Sequence, residues 1–128
     1  MKRTILLDTD VLVDYLRGRE EAVAYIKAHA DQAVIPSVAV GELYAGVKDE
    51  DELARLDDFL ALFPIIPLTK EIARAAGAYK RAYHRSHGVG LADAVVAATA
   101  EAQEADLKTL NVKHYPMFKD LKPPYIKK

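Results

Sequence analysis

The sequence predicts a three-layer α/β/α domain with a mostly parallel central sheet. Short apolar runs alternate along the chain with longer stretches of helical periodicity, the pattern that builds a parallel sheet covered on both faces. The first run, Ile5-Leu6-Leu7, has no polar alternation and stops at Asp8, as does a strand buried on both sides that ends at the carboxyl edge of a sheet. Ligands and chemistry gather at that edge in open α/β sheets. A chain of 128 residues makes one domain, 1–128, with a substantial core and is too short for two.

Taken in order, the first strand is expected from Thr4 to Leu7, followed by a helix from Val11 to Arg17 that Asp10 caps and Gly18 ends. A second helix runs from Arg19 to Ala30 with Val23, Ile26 and Ala30 inward, and a second strand, Ala33-Val34-Ile35, is stopped by Pro36. Ser37 is the expected N-cap of a helix carrying Glu42, apolar around most of its circumference and so expected to be buried. The helix from Asp49 to Leu62 opens with four acids, Asp49 to Glu52, which suit the positive end of its dipole. A short edge strand is expected between Pro64 and Leu68. Thr69 then caps a long helix to His87, with Ile72, Ala75, Ala76, Tyr79 and Tyr83 on one face. Gly88 and Gly90 precede a helix carrying Asp93 and running to about Ala105. The last strand is Leu107–Leu110, followed by Asn111, and Lys113 to Lys128 is expected to be irregular.

Composition narrows the chemistry. The formal net charge is -1, so the chain as a whole is not a basic nucleic-acid magnet. It contains no cysteine, which removes disulfides, thiolate catalysis and cysteine–zinc sites. The basic opening is followed by an apolar stretch that Asp8 and Asp10 interrupt, too short and too acidic for a signal peptide or membrane span. A soluble, cytoplasmic protein without membrane attachment is the expectation. The histidines form no His-x-x-x-His pair, and there is neither a Gly-x-x-x-x-Gly-Lys-Ser/Thr loop nor a Gly-x-Ser-x-Gly elbow. Zinc hydrolysis, nucleotide-driven and serine-hydrolase chemistry are therefore disfavoured.

Two acids stand alone inside apolar runs, Glu42 in VAVGELYAGV and Asp93 in VGLADAVVAA. An ionised carboxylate in apolar surroundings needs a cation or hydrogen bonds, or else holds a proton. Neither acid has a lysine or arginine within four residues, and the economical solution is that Asp8, Glu42 and Asp93 share one cation. Taken singly, Asp8 and Asp10 could cap a helix or close an Asx-turn, and Asp93 could complement a helix amino end. Asp14 could face either solvent or the site. Oxygen-only ligands imply Mg2+ or Mn2+, and an acidic site holding such an ion suits phosphoryl chemistry.

These segments together resemble a known family. ILLDTDVLVDYL from Ile5, SVAVGELYAG from Ser37, GLADAVVAATA from Gly90 and TLNVKHYPMF from Thr109 are similar, in order and spacing, to the motifs of PIN-domain ribonucleases. In particular they resemble VapC-type toxins of toxin–antitoxin pairs. The resemblance spans nearly the whole chain and implies a PIN-like fold, Asp8, Glu42 and Asp93 as an acidic triad holding Mg2+ or Mn2+, and cleavage of RNA, commonly structured RNA such as transfer RNA. It also implies an antitoxin partner and a symmetric homodimer. Asn111 stands where the fourth motif often carries an acid, so it is a catalytic candidate that can hydrogen-bond water or phosphate but adds no charge for a second metal ion.

An acidic site repels RNA, so attraction must come from elsewhere. Lys70, Arg74, Arg81 and Arg85 on the long helix are the candidates, with Lys108 and Lys113 near the last strand; a solvated helix face is the plainer account of the same stripe. For the antitoxin, Tyr15 and Leu16 with Leu56 and Phe59, beside Val11, Leu12, Leu53 and Leu60, could leave a groove for an amphipathic helix. Three other readings stand against this one. The chain could be a catalytically idle PIN fold acting as a binding module, although all three acids are present. DTDV also resembles the nucleophile loop of haloacid-dehalogenase phosphatases, but the acid pair available to it, Asp57-Asp58, lies in an amphipathic helix. A response-regulator receiver would need an aspartate after the third strand, where Ile65-Ile66-Pro67 offers none.

Overall fold

The sheet is assembled around β1 (Ile5–Leu7), whose residues are all buried. In the computed structural model, which describes residues 2–127, β1 pairs in parallel with β2 (Ala33–Pro36) on one side and β4 (Asp106–Lys108) on the other. β3 (Ile65–Ile66) adds to the far side of β2, giving the order β3-β2-β1-β4 with every pairing parallel. Met1 and Lys128, the ends of the expected 1–128 domain, lie outside the described residues.

The pleat sends Ile5 and Leu7 to one face and Leu6 to the other. The first face packs on Val11 and Leu12 of α1 (Thr9–Leu16), Ile26 of α2 (Glu20–His29), and Leu56, Phe59 and Leu60 of α4 (Glu50–Leu60). The second packs Leu6 against Val96, Ala97 and Ala100 of α6 (Leu91–Ala102), while Ile72 and Ala76 of α5 (Lys70–His87) cover α6 from outside. These two helical layers around one sheet are the expected three-layer α/β/α architecture. A fully buried leucine or isoleucine on such a face contributes about 1.5–3 kcal/mol. α3 (Ser37–Ala45) lies at the end of the sheet and touches both layers: Ala39 and Leu43 join the first cluster, and Val38 packs against the second.

Several boundaries differ from expectation, and the reasons are local. Asp8, not Asp10, caps α1, because its carboxylate accepts from the Thr9 backbone N–H at 2.8 Å. Pro36 rather than Ser37 occupies the cap position of α3; it completes the pairing of β2 and has no N–H to leave unsatisfied. Ser37 instead turns its hydroxyl outward to accept from the Leu68 N–H at 3.1 Å. The final strand ends at Lys108 rather than Leu110, because the parallel register brings the Lys108 carbonyl to the Asp8 N–H at 3.0 Å and releases Thr109 and Leu110 into a turn. α2 buries Ala22 and Ile26, leaving Ala30 exposed. α3 is not buried around its circumference: Ala39 and Leu43 are its buried residues, and Gly41, Glu42, Tyr44 and Ala45 are exposed. Its apolar residues outnumber the core positions that the end of a sheet can offer.

Asp14 faces neither solvent nor the sheet edge. It is buried on α1, where it accepts from the Tyr125 hydroxyl at 2.9 Å and lies 3.2 Å from the Lys127 ammonium and 3.8 Å from the Arg19 guanidinium. The irregular tail is thereby fastened across the molecule: Met117, Phe118 and Leu121 pack on one face of the sheet, and Tyr125 on the other. Asp14→Ala should therefore lower unfolding stability by about 1.5–3 kcal/mol, the range for hydrogen bonds to a charged group. Tyr125→Phe should cost less, and denaturant midpoints check both. Among the described residues, no helix is long and apolar enough to cross a membrane.

Candidate active site at the carboxyl edge

The strand order fixes where a site should form. The chain lays β1, β2 and β3 outward in one direction, then returns to place β4 on the opposite side of β1. The carboxyl ends of β1 and β4 thus flank the crevice where strand order reverses, the usual seat of a ligand in an open α/β sheet. Asp8 leaves β1 at that point. The residue is only 7% exposed, and its Oδ2 accepts from the Thr109 hydroxyl at 2.9 Å and the Tyr115 hydroxyl at 2.7 Å.

Asp93 reaches the same place from the first turn of α6. The long α5 ends at Gly88, whose φ of 63° is the left-handed turn that glycine takes without strain, and the chain doubles back so that α6 begins beside the sheet edge. Asp93 Oδ1 lies 3.4 Å from the Tyr115 hydroxyl, and its Oδ2 lies 3.3 Å from His114 Nδ1. A single phenol therefore stands between the Asp8 and Asp93 carboxylates. Glu42 is tethered beside them, its Oε1 accepting from the Thr9 hydroxyl at 2.6 Å.

The electrostatics are those of acids held close together. Burial first, and then the charges of Asp8 and Glu42, push the Asp93 carboxyl above the usual range, while His114 and Tyr115 pull it back. Asp10 is pushed up to about 6, by burial and then by the Asp8 charge, despite its own hydrogen bonds. Asp10 sits at the heart of the turn that follows β4: its Oδ2 accepts from the N–H groups of Leu110 at 2.9 Å and Asn111 at 3.1 Å. This clamp aims the Thr109 hydroxyl at Asp8. Asn111 is exposed, and its N–H also donates to the Thr109 hydroxyl oxygen at 3.1 Å. Among the described residues, no three acidic or histidine side chains close up tightly enough to enclose a metal ion.

The structure links Asp8, Glu42 and Asp93 through Thr9 and Tyr115, and sets Asn111 in the adjoining turn. Lys70, Arg74, Arg81 and Arg85 are all exposed on α5. Tyr15, Leu16 and Leu56 line a groove between α1, α3 and α4, whereas Phe59 lies beneath it, stacked on Tyr15 at 4.8 Å and buried in the core. Asp57, on which the phosphatase alternative would lean, accepts from the Tyr44 hydroxyl on the exposed side of α4. Sequence reasoning missed the hydroxyl and imidazole partners, Thr9, Thr109, His114 and Tyr115. Their signal was position: each lies within six residues of a flagged polar residue, in the same two motif segments.

A family model described as PIN domain matches residues 5–115. The chain is 44% identical over 126 residues to ribonuclease VapC10 of Mycobacterium tuberculosis, covering 94% of this chain and 92% of that protein. It is 42% identical over 125 residues to ribonuclease VapC19 of the same species, covering 94% and 98%. Among solved structures, a toxin–antitoxin complex from Klebsiella pneumoniae contains a chain that superposes with a TM-score of 0.83 at 29% identity, covering 95% of this chain and 98% of that one. A fold, a motif order and relatives that agree over nearly the full length lead to one assignment: this chain belongs to the PIN-domain family.

Proposed function

We propose that this protein is a metal-dependent endoribonuclease and the toxin of a toxin–antitoxin pair, with Asp8, Glu42 and Asp93 as its acid set. The observation that carries the reading is the pairing of Asp8 and Asp93 across one hydroxyl at the switch point of the sheet, with Glu42 tethered beside them. The ribonuclease names of its 44% and 42% identical relatives support the activity. The resemblance to a haloacid-dehalogenase phosphatase has no such support, since Asp57 is engaged elsewhere on α4.

The donors fit a hard cation. All are oxygen, which suits Mg2+ or Mn2+ over zinc or copper, and the upward push on Asp93, from burial first and then from the charges of Asp8 and Glu42, is what a cation would relieve. Magnesium usually keeps several waters and takes one or two carboxylates alongside phosphate, so an open acid set suits it better than a closed cage. When bound, the ion supplies charge for the phosphate and activates a water as nucleophile. Asp8 and Asp93 would hold it. Asp8 is oriented by Thr9, Thr109 and Tyr115, and Asp93 faces the exposed imidazole of His114. Glu42, exposed on α3, completes the set at the rim, and Asn111 offers a neutral polar group beside it. The purified chain should cut RNA with Mg2+ or Mn2+ and stop in excess chelator; cleavage indifferent to chelator would exclude the reading.

For RNA we favour the half of the basic stripe nearest the site. α5 runs back towards the start of α6, so Arg81 and Arg85 lie at the Asp93 end while Arg74 lies about 10 Å and Lys70 about 16 Å beyond Arg81 along the helix axis, at roughly 1.5 Å per residue. None of the four makes a salt bridge among the described residues. Replacing Arg81 and Arg85 by alanine should weaken RNA binding and make its dependence on salt shallower by about one phosphate per arginine. An unchanged salt slope would leave the stripe a solvated face.

By analogy with the Klebsiella pneumoniae toxin–antitoxin complex, we take an antitoxin as the partner and the groove between α1, α3 and α4 as its seat. A symmetric homodimer is part of the same reading. Exposed Leu62, Ile65 and Leu68 around the edge strand β3 give it an apolar surface to use, and the mass in solution decides it.

A further inference from the structure

Tyr115 is buried to 1% exposure, and its ring packs in the cluster around Leu6 and Leu107, stacked near Phe118. Apolar packing accounts for the ring but not for the hydroxyl, which a phenylalanine would lack at no cost to the core. Among the described residues, that hydroxyl hydrogen-bonds only to acids: Asp8 Oδ2 at 2.7 Å and Asp93 Oδ1 at 3.4 Å. A phenol carries one proton. The shorter bond takes it, and the longer approach shares the same hydrogen weakly.

We propose that Tyr115 is a positioning residue of the metal centre: its hydroxyl locks the Asp8 carboxylate, spans to Asp93, and thereby sets how tightly the pair holds a divalent cation. The proposal rests on the reading of Asp8 and Asp93 as metal ligands. Asp8 Oδ1 is already tied to its own helix through Thr9, so Oδ2 is the oxygen whose direction is set from outside the motif. Thr109 shares that oxygen but divides its hydrogen with Asp10, at 2.9 and 3.3 Å. Tyr115 is therefore the donor that links the two acids, and it comes from the last segment of the domain rather than from either acid's own element. Partners of this kind around a ligand typically change metal affinity 10–100-fold when removed.

The test compares wild type, Tyr115→Phe and Asp8→Asn by calorimetric titration with Mn2+, by the Mn2+-induced rise in melting temperature, and by cleavage rate across Mn2+ concentrations. Tyr115→Phe keeps the ring and its packing. It should bind Mn2+ roughly 10–100-fold more weakly, with cleavage returning towards the wild-type rate once Mn2+ saturates. Asp8→Asn should lose both binding and cleavage. If Tyr115→Phe titrates like wild type while Asp8→Asn does not, the positioning role is overturned and the metal site stands. If wild type and Asp8→Asn titrate alike, the acids do not hold the ion and both readings fall. A rate deficit in Tyr115→Phe that persists at saturating Mn2+, with normal affinity, also overturns the proposal.

Discussion

Asp93→Asn should abolish metal-dependent RNA cleavage, by about 1,000-fold or more, without unfolding the protein. The magnitude follows from the several kcal/mol that a bound cation contributes to a phosphoryl transition state, at 1.36 kcal/mol per tenfold. The side chain keeps its shape, and its hydrogen-bonding partners His114 and Tyr115 are a surface imidazole and a phenol that is satisfied by Asp8. What is lost is one negative charge from a place where burial and the charges of Asp8 and Glu42 disfavour it. Without metal, the variant should therefore be no less stable than wild type, and the Mn2+-induced rise in melting temperature should disappear. Loss of cleavage together with a lower metal-free melting temperature would mean that Asp93 holds the fold rather than the ion. Full cleavage by Asp93→Asn would remove it from the catalytic set.

The same site explains how far the sequence could be read. Asp8 was legible because an apolar strand that ends in an acid announces the sheet edge, and the order β3-β2-β1-β4 then makes that edge the switch point. Asp93 was legible because no nearby cation accounts for it. Glu42 was singled out for a reason the fold only half supports. Its helix looked buried because it is apolar, yet α3 lies at the end of the sheet with one side open, and Glu42 is exposed. An apolar face left open is as much a mark of an unfilled interface as of a core, and composition alone does not separate the two. The hydroxyl partners were not legible, since Tyr115 and Thr109 act on Asp8 across 107 and 101 residues of chain. That approach depends on the parallel register of β4 against β1. Asp14 shows the opposite case: an acid in the first motif that is absorbed by the tail, through Tyr125 and Lys127, which no local pattern joins to it.

Leu16→Asp should weaken binding of the antitoxin by about 30-fold or more, equivalent to about 2 kcal/mol at the centre of an interface, while leaving the free protein folded. The groove between α1, α3 and α4 has a volume of about 350 Å3, with Tyr15, Leu16, Leu43 and Leu56 as apolar lining and Glu42 and Arg55 among its charged residues. An amphipathic helix laid along it would set apolar anchors against Leu16 and Leu56. Because Glu42 lines the groove and also belongs to the proposed acid set, a basic side chain on that helix could pair with it and compete with the cation, so that binding and inhibition are one event. Leu16 is the clean probe. It is 39% exposed in the free chain, whereas Leu56 at 4% and Phe59 at 7% are core residues whose replacement by a charge would unfold the protein before it tested any interface. Tyr15 stacks on Phe59 and shares that difficulty in part. The measurement is titration of the small protein encoded beside this one against wild type and Leu16→Asp, with the metal-dependent cleavage of each followed in parallel. Reduced affinity with intact cleavage would identify the groove as the seat of the inhibitor. Unchanged affinity would move the antitoxin to another face, and the Glu42 route of inhibition would go with it.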